Sequence, residues 1–166
     1  NAKRHVAPTY HVSLFRSIPG IDVKVKGTYK TGFKLPSIYQ KFTPGDGNEN
    51  LKAEESETRE VSFSKQFQNI ELITTFFDTS LTNKIDQINW ETPYSNFEKS
   101  TYSGTEYVVQ LREWGMFDFL RLDYTALNAV DKNEEALKVP DYKLSFSSGI
   151  SHDKWTYGFF LIGEGE

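Results

Sequence analysis

The sequence predicts a mainly β fold, with two antiparallel sheets packed as a sandwich or barrel, one flanking α-helix at about 79–90 and a long protruding loop at about 39–59. Three observations lead there. Apolar and polar residues alternate along several stretches, the period of a strand with one covered and one wet face. Phe, Tyr and Trp make up 15% of the chain against a single Met, so its apolar residues are of the kind that suits a pleated sheet. At 166 residues and 37% hydrophobic, the chain fits one domain over 1–166 that fills its own core.

The strands follow in order. Tyr10, Val12 and Leu14 alternate with polar neighbours, and after Pro19-Gly20 so do Ile21, Val23 and Val25 with Asp22, Lys24 and Lys26. Val61 and Phe63 alternate with Ser62 and Ser64, and Ile70 to Phe77 is apolar enough for a more buried strand. Tyr107, Val109 and Leu111 continue the pattern, followed by Phe117 to Tyr124. Tyr142, Leu144 and Phe146, then Trp155, Tyr157, Phe159 and Leu161, flank a turn at Ser151-His152-Asp153-Lys154 and read as a hairpin.

Two segments break the rhythm. Behind Asp78 as N-cap, Leu81, Ile85 and Ile88 recur at helical spacing and predict about three turns ending near Trp90, before Pro93. Asp131 and Glu134 have capping-box spacing ahead of Glu135-Ala136-Leu137-Lys138, a turn or two stopped by Pro140. Pro36 to Arg59 is polar and aperiodic, with Thr43-Pro44-Gly45-Asp46-Gly47 inside it, so a protruding loop is expected.

Composition excludes several classes. Cysteine is absent, which removes disulfides, thiol nucleophiles and thiolate zinc sites. No apolar run approaches the ~20 residues of a spanning helix, and no signal-like apolar stretch follows Asn1, so a soluble domain is expected. Net charge is −4 but polarised: residues 1–44 sum to +7, 45–60 to −4 and the remainder to −7. Opposite charges on one molecule favour head-to-tail contact between copies.

No constellation carries chemistry. His5, His11 and His152 lie far apart, and no two carboxylates are placed in an apolar cleft for acid/base work. Asp46, Asn48, Asn50 and Glu57 mimic calcium-loop spacing, but Leu51 stands where that loop needs glycine. Lys24, Lys26, Lys30 and Lys34 with Tyr29 and Phe33 could form a basic, stacking stripe for nucleic acid, against which the acidic remainder argues. No catalytic, metal or cofactor site is expected.

The order of features resembles the inner tail-tube proteins of contractile-tailed bacteriophages and the related tubes of type VI secretion. Pro8-Thr9-Tyr10-His11-Val12-Ser13-Leu14 looks like that family's first tube strand, and Gly32-Phe33-Lys34-Leu35-Pro36 like the lead into its long loop. Phe77-Asp78 with Trp90 is similar to its strand, acidic cap and helix, and Leu127-Asn128-Ala129-Val130 with the final hairpin to its closing segment. The chain departs from the family in ending Gly163-Glu164-Gly165-Glu166 and in having Val130-Asp131 where a proline is common.

The resemblance implies a virion structural protein, assembled in the host cytoplasm, whose homohexameric rings stack into a conduit for DNA. Its partners would be itself, sheath and baseplate proteins, without membrane insertion. Asp46, Glu49, Glu54, Glu55, Glu57 and Arg59 would make contacts between rings or subunits, and Asp22, Lys24, Lys26, Ser62 and Ser64 would face the lumen. The main alternative is a secreted or surface carbohydrate-binding β-sandwich presenting Tyr29, Tyr39 or Trp155, which unlike a tube would stay monomeric. A lipocalin-type barrel and an enzyme have less in the sequence to support them.

Overall fold

The alternating stretches join into a single sheet. The computed structural model describes residues 9–89, 92–131, 134–135 and 139–165. Its strands are β1 (His11–Ile18), β2 (Val23–Lys34), β3 (Glu54–Phe67), β4 (Ile70–Asp86), β5 (Ser95–Trp114), β6 (Phe117–Asp131), β7 (Glu134–Glu135), β8 (Tyr142–His152) and β9 (Trp155–Gly165). They run β1-β2-β3-β4-β5-β6-β8-β9 across one antiparallel meander, with β7 a short addition on β6. Among the described residues the one helix is α1 (Ile38–Phe42).

The two ends of the sheet differ. At one end the strands are joined by residues 19–22, 68–69, 115–116 and 153–154. The first residue of each two-residue turn, Gln68, Gly115 and Asp153, takes a positive φ of 48°, 63° and 54°, the hand that follows strand twist. At the other end the connections are long: 35–53, 87–94 and 132–141. β4 and β5 have 17 and 20 residues, far beyond the ~5–6 of an ordinary strand.

Three expectations are corrected here. The strands do not divide into two packed sheets, because each pairs edge to edge with the next. Among the described residues the buried apolar side chains are Leu51, Ala53, Ile85 and Ala129, too few for a sandwich core. Alternation reports that one face avoids water, not what covers it.

The helix expected at about 79–90 is instead the far half of β4. Thr79 to Thr82 pair with β3, and Lys84 to Asp86 with β5. Two neighbouring strands and the β-branched Thr79 and Thr82 outweigh the spacing of Leu81 and Ile85, while Ile88 lies exposed beyond the strand. Trp90 is outside the described residues. Of the second expected helix, Glu134–Glu135 form β7 and residues 136–138 lie outside the described residues.

The stretch at about 39–59 is loop only in its middle, between α1 and β3. Ser37 caps α1: its Oγ accepts from Gln40 N at 3.1 Å while Gln40 Oε1 accepts from Ser37 N at 2.9 Å, a capping box. Glu54 to Arg59 belong to β3. The remaining loop is clasped to the start of β5, with Tyr94 N donating to Asp46 O at 2.9 Å and Asn48 Nδ2 to Tyr94 O at 2.9 Å. Lys52 N donates to Asn96 Oδ1 at 2.8 Å and Asn96 Nδ2 returns a bond to Lys52 O at 3.1 Å.

Candidate functional site

Register carries a strip of apolar residues straight across the sheet. Leu72 pairs with Val109, Val109 with Leu122, Leu122 with Phe146 and Phe146 with Leu161, five apolar residues from five strands in one row. Since successive side chains point to opposite faces, all five lie on one face. It is bare: Leu72 is 40% exposed, Leu122 42% and Leu161 56%. A contiguous exposed apolar surface of this extent marks contact with another apolar phase or partner.

The strip has aromatic borders. Toward the long-loop end, Tyr107, Tyr124 and Tyr142 form a ladder, with ring centroids 6.4 and 6.5 Å apart and planes within 27° and 26° of parallel. Tyr29 lies on the same face in β2, whereas Trp155 and Tyr157 stand at the short-turn end. From Tyr142 to His152, opposite Trp155, the strand runs roughly 33 Å at ~3.3 Å per residue. At a barrel tilt of about 40° that is about 25 Å in height, the thickness of an outward apolar band bounded by aromatic girdles.

The opposite face carries most of the side-chain bonds between strands, together with some apolar residues such as Ile73, Phe119, Phe160 and Ile162. Arg121 holds Asp123 with Nε at 2.9 Å from Oδ2 and reaches Gln110 Oε1 through Nη1 at 3.3 Å; Ser145 Oγ lies 3.4 Å from the same Asp123 oxygen. Arg112 pairs with Glu71 at 3.3 Å and Lys30 with Glu60 at 2.5 Å. Hydroxyls pair across strands, Ser13 with Thr28 at 3.2 Å, Thr58 with Thr79 at 3.0 Å and Ser62 with Thr75 at 2.9 Å. Cross-strand bonds of this kind suit a face that meets water and polar solutes.

Four of the five expected lumen residues come together on this polar face, where Lys24 pairs with Ser64 and Lys26 with Ser62 in register. Asp22 sits apart in the first short turn with φ 54°. The expected contact loop is dispersed. Asp46 and Glu49 stay in the 43–53 loop, while Glu54 turns inward to accept from Ile85 N at 2.7 Å and pairs with Lys34 at 3.2 Å. Glu57 pairs with Arg59 at 2.5 Å on the apolar side, beyond the tyrosine border.

Of the calcium-like residues, Asn48 Oδ1 accepts from Asn50 N at 3.0 Å and Glu57 is engaged with Arg59. Among the described residues no three His, Asp or Glu are placed to hold a metal. The tyrosine ladder went unseen in the sequence, although a tyrosine at the far end of three successive alternating stretches was a readable signal. The expectation of a soluble domain used a criterion for helices. Among the described residues no helix is long and apolar enough to cross a membrane, but a tilted strand needs only about 9–11 residues with one apolar side.

A family model described as "TonB dependent receptor-like, beta-barrel" matches residues 5–166. The vitamin B12 transporter BtuB of Vibrio cholerae serotype O1 is 26% identical over 159 residues, which are 94% of this chain and 26% of that protein. The chain thus spans about a quarter of the length of the curated relatives it matches. Among solved structures, the copper transporter OprC superposes with a TM-score of 0.69 at 10% identity, over 89% of this chain and 24% of its own. The siderophore receptor PirA from Pseudomonas aeruginosa does so with 0.66 at 18% identity, over 93% and 32%. These two superpositions speak to the fold alone.

The match overturns the tail-tube resemblance and all that hung on it: the virion location, the hexameric rings with sheath and baseplate partners, the DNA conduit and the lack of membrane insertion. The carbohydrate-binding sandwich falls with it. Both families build long antiparallel strands with one polar face, so alternation alone could not separate them. The matched family is one of receptors, not of enzymes.

Proposed function

The chain belongs to the TonB-dependent receptor-like β-barrel family, and from that premise we propose that it forms part of the wall of an outer-membrane barrel that imports a ligand with the help of TonB. The observation that carries this reading is the two-faced sheet: an exposed apolar band about 25 Å tall between aromatic borders on one side, and on the other a surface that carries most of the side-chain bonds between strands. The band meets lipid and the polar face lines the lumen, with Lys24, Lys26, Ser62 and Ser64 on it. The edges of β1 and β9, each paired on one side only among the described residues, are where further strands close the barrel.

Orientation follows from the connections. Outer-membrane barrels have short turns on the periplasmic side and longer loops outside, so residues 35–53 and the described residues 87–89, 92–94 and 139–141 face the exterior. The long β4 and β5 carry the connection between them clear of the membrane.

For the cargo we choose a corrinoid, because the curated relatives are vitamin B12 transporters. The test deletes the full-length gene in its own host and restores it on a plasmid, with labelled cyanocobalamin as substrate. Loss of uptake on deletion, restored only when TonB is present, is the expected result. Undiminished cobalamin uptake with lost ferric-siderophore uptake sinks the choice of cargo, and recovery of the protein away from the outer membrane sinks the reading as a whole.

A further inference from the structure

We propose that Arg16 and Lys65 together hold the phosphate of one anionic phospholipid, phosphatidylglycerol, in the leaflet on the short-turn, periplasmic side; this rests on the reading that the apolar face meets the bilayer. Both cations belong to that face. Lys65 pairs in register with Leu72, the first residue of the apolar strip, and with Val23 on its other side; Arg16 pairs with Val25, and Val25 with Phe63. Directly paired residues share a face of the sheet.

Their height is the same. In the hairpin β1-β2 the outward pair beside the turn is Ile18–Val23, and in β3-β4 it is Phe67–Ile70. The next outward pair above each turn joins one cation to one apolar residue, Arg16 to Val25 and Lys65 to Leu72. At ~3.3 Å per residue and a barrel tilt of about 40°, each cation is rooted roughly 5 Å inside the border of the band. A long side chain there lays its stem along apolar surface and brings its charge to the border, where lipid phosphates lie.

Neither cation has an acidic partner among the described residues. Lys65 Nζ lies 4.7 Å from the centre of the Phe67 ring, which holds the ammonium at the border. On the inward face Lys30, Arg112, Arg121 and Lys143 each have a carboxylate. A cation left unpaired on the lipid side is costly, and one phosphate answers both. Two strand spacings and one step along the strand put the Arg16 and Lys65 backbones about 12 Å apart across β2, a gap that the two side chains close on a phosphate between them.

The lack of acid selects the head. From the short turns up to Phe76 the outward residues of β1 to β4 include no Asp or Glu, and Asp22 lies in the turn, beyond the border. The ammonium of phosphatidylethanolamine would find no carboxylate on this face and would stand beside two like charges. Phosphatidylglycerol brings a phosphate with no cation of its own.

The experiment places the full-length protein in nanodiscs of equal palmitoyl-oleoyl phosphatidylglycerol and phosphatidylethanolamine, extracts it in mild detergent and identifies retained lipids by native mass spectrometry. Wild type should retain phosphatidylglycerol in preference. A cation beside anionic headgroups contributes about fivefold, so Arg16→Gln or Lys65→Gln should lower the preference about fivefold and the two together about 25-fold. Lys24→Gln with Lys26→Gln removes the same charge from the inward face and should leave the preference unchanged. Equal preference in wild type and in the Arg16→Gln, Lys65→Gln variant, or an equal loss from the inward-face variant, overturns the proposal. Should the paired outward variant fail to fold, the two single variants are read in the same way. A wild type that does not enter the bilayer refutes the membrane reading itself, whereas insertion without headgroup preference refutes the phosphate contact alone.

Discussion

Tyr107 and Tyr124 are direct cross-strand partners whose rings stack 6.4 Å apart at 27°, and Tyr142 extends the stack from β8. Such a ladder gains from ring contact and from placing an apolar body against lipid with the hydroxyl toward water. Tyr124 is the middle rung and loses two partners at once. Tyr124→Ala should lower stability in phospholipid vesicles by about 1–3 kcal/mol, from two ring pairs at ~0.5–1.5 each. Urea titration of the folded, vesicle-inserted protein measures it, and no change beyond that of an isolated surface tyrosine would deny the ladder its role.

The two faces should respond oppositely to charge. Leu122 lies mid-strip on the apolar face and Ser147 on the polar face of the neighbouring strand. Arginine near the bilayer midplane costs about 2–4 kcal/mol on the lipid side, whereas lumen positions tolerate it. Leu122→Arg should therefore destabilise the inserted protein by that amount and Ser147→Arg by less than about 1 kcal/mol. Similar costs at both positions would mean that the faces have been assigned the wrong way round.

The Arg121–Asp123 fork has good geometry yet should contribute little. Its side chains remain 39% and 29% exposed, so water screens the pair. A double-mutant cycle with Arg121→Gln and Asp123→Asn should return a coupling of about 0.2–1 kcal/mol, the range of exposed pairs, falling further in high salt. A coupling of several kcal/mol would show that the lumen side is dry at this height.

The strands were legible because strand periodicity depends only on one side being apolar. Leu144 and Phe146, and Phe159 and Leu161, alternate equally well over a core or against lipid, so the final hairpin was readable while its surroundings were not. Gln68-Asn69 and Gly115-Met116 are ordinary hairpin turns that hold no hint of a barrel. Thr79 to Asp86 reads as helix in isolation because Leu81 and Ile85 have that spacing; only the pairing of β4 with β3 and β5 decides otherwise. The capping box Ser37–Gln40 was visible and missed, hidden in a stretch too polar to suggest order.

The clasp that holds the 43–53 loop rests on few groups, and Asn96 is its centre. One side chain accepts from Lys52 N and donates to both Lys52 O and Asn83 O, the last at 2.8 Å, tying the loop to β4 and β5 together. Below it Glu54, 8% exposed, takes the Ile85 amide at 2.7 Å. The bonds of Asn96 are exposed or half-buried, so water replaces the lost partner and each costs about 0.5–1.5 kcal/mol. Asn96→Ala should thus free the loop locally without unfolding β6 and β8. Hydrogen exchange should speed up by about 2- to 12-fold at Lys52, the equivalent of roughly 0.5–1.5 kcal/mol, while Ile85, held by Glu54, and Leu122 and Phe146 keep their protection. Uniform loss of protection across β6 and β8 would instead mean that the clasp supports the whole sheet.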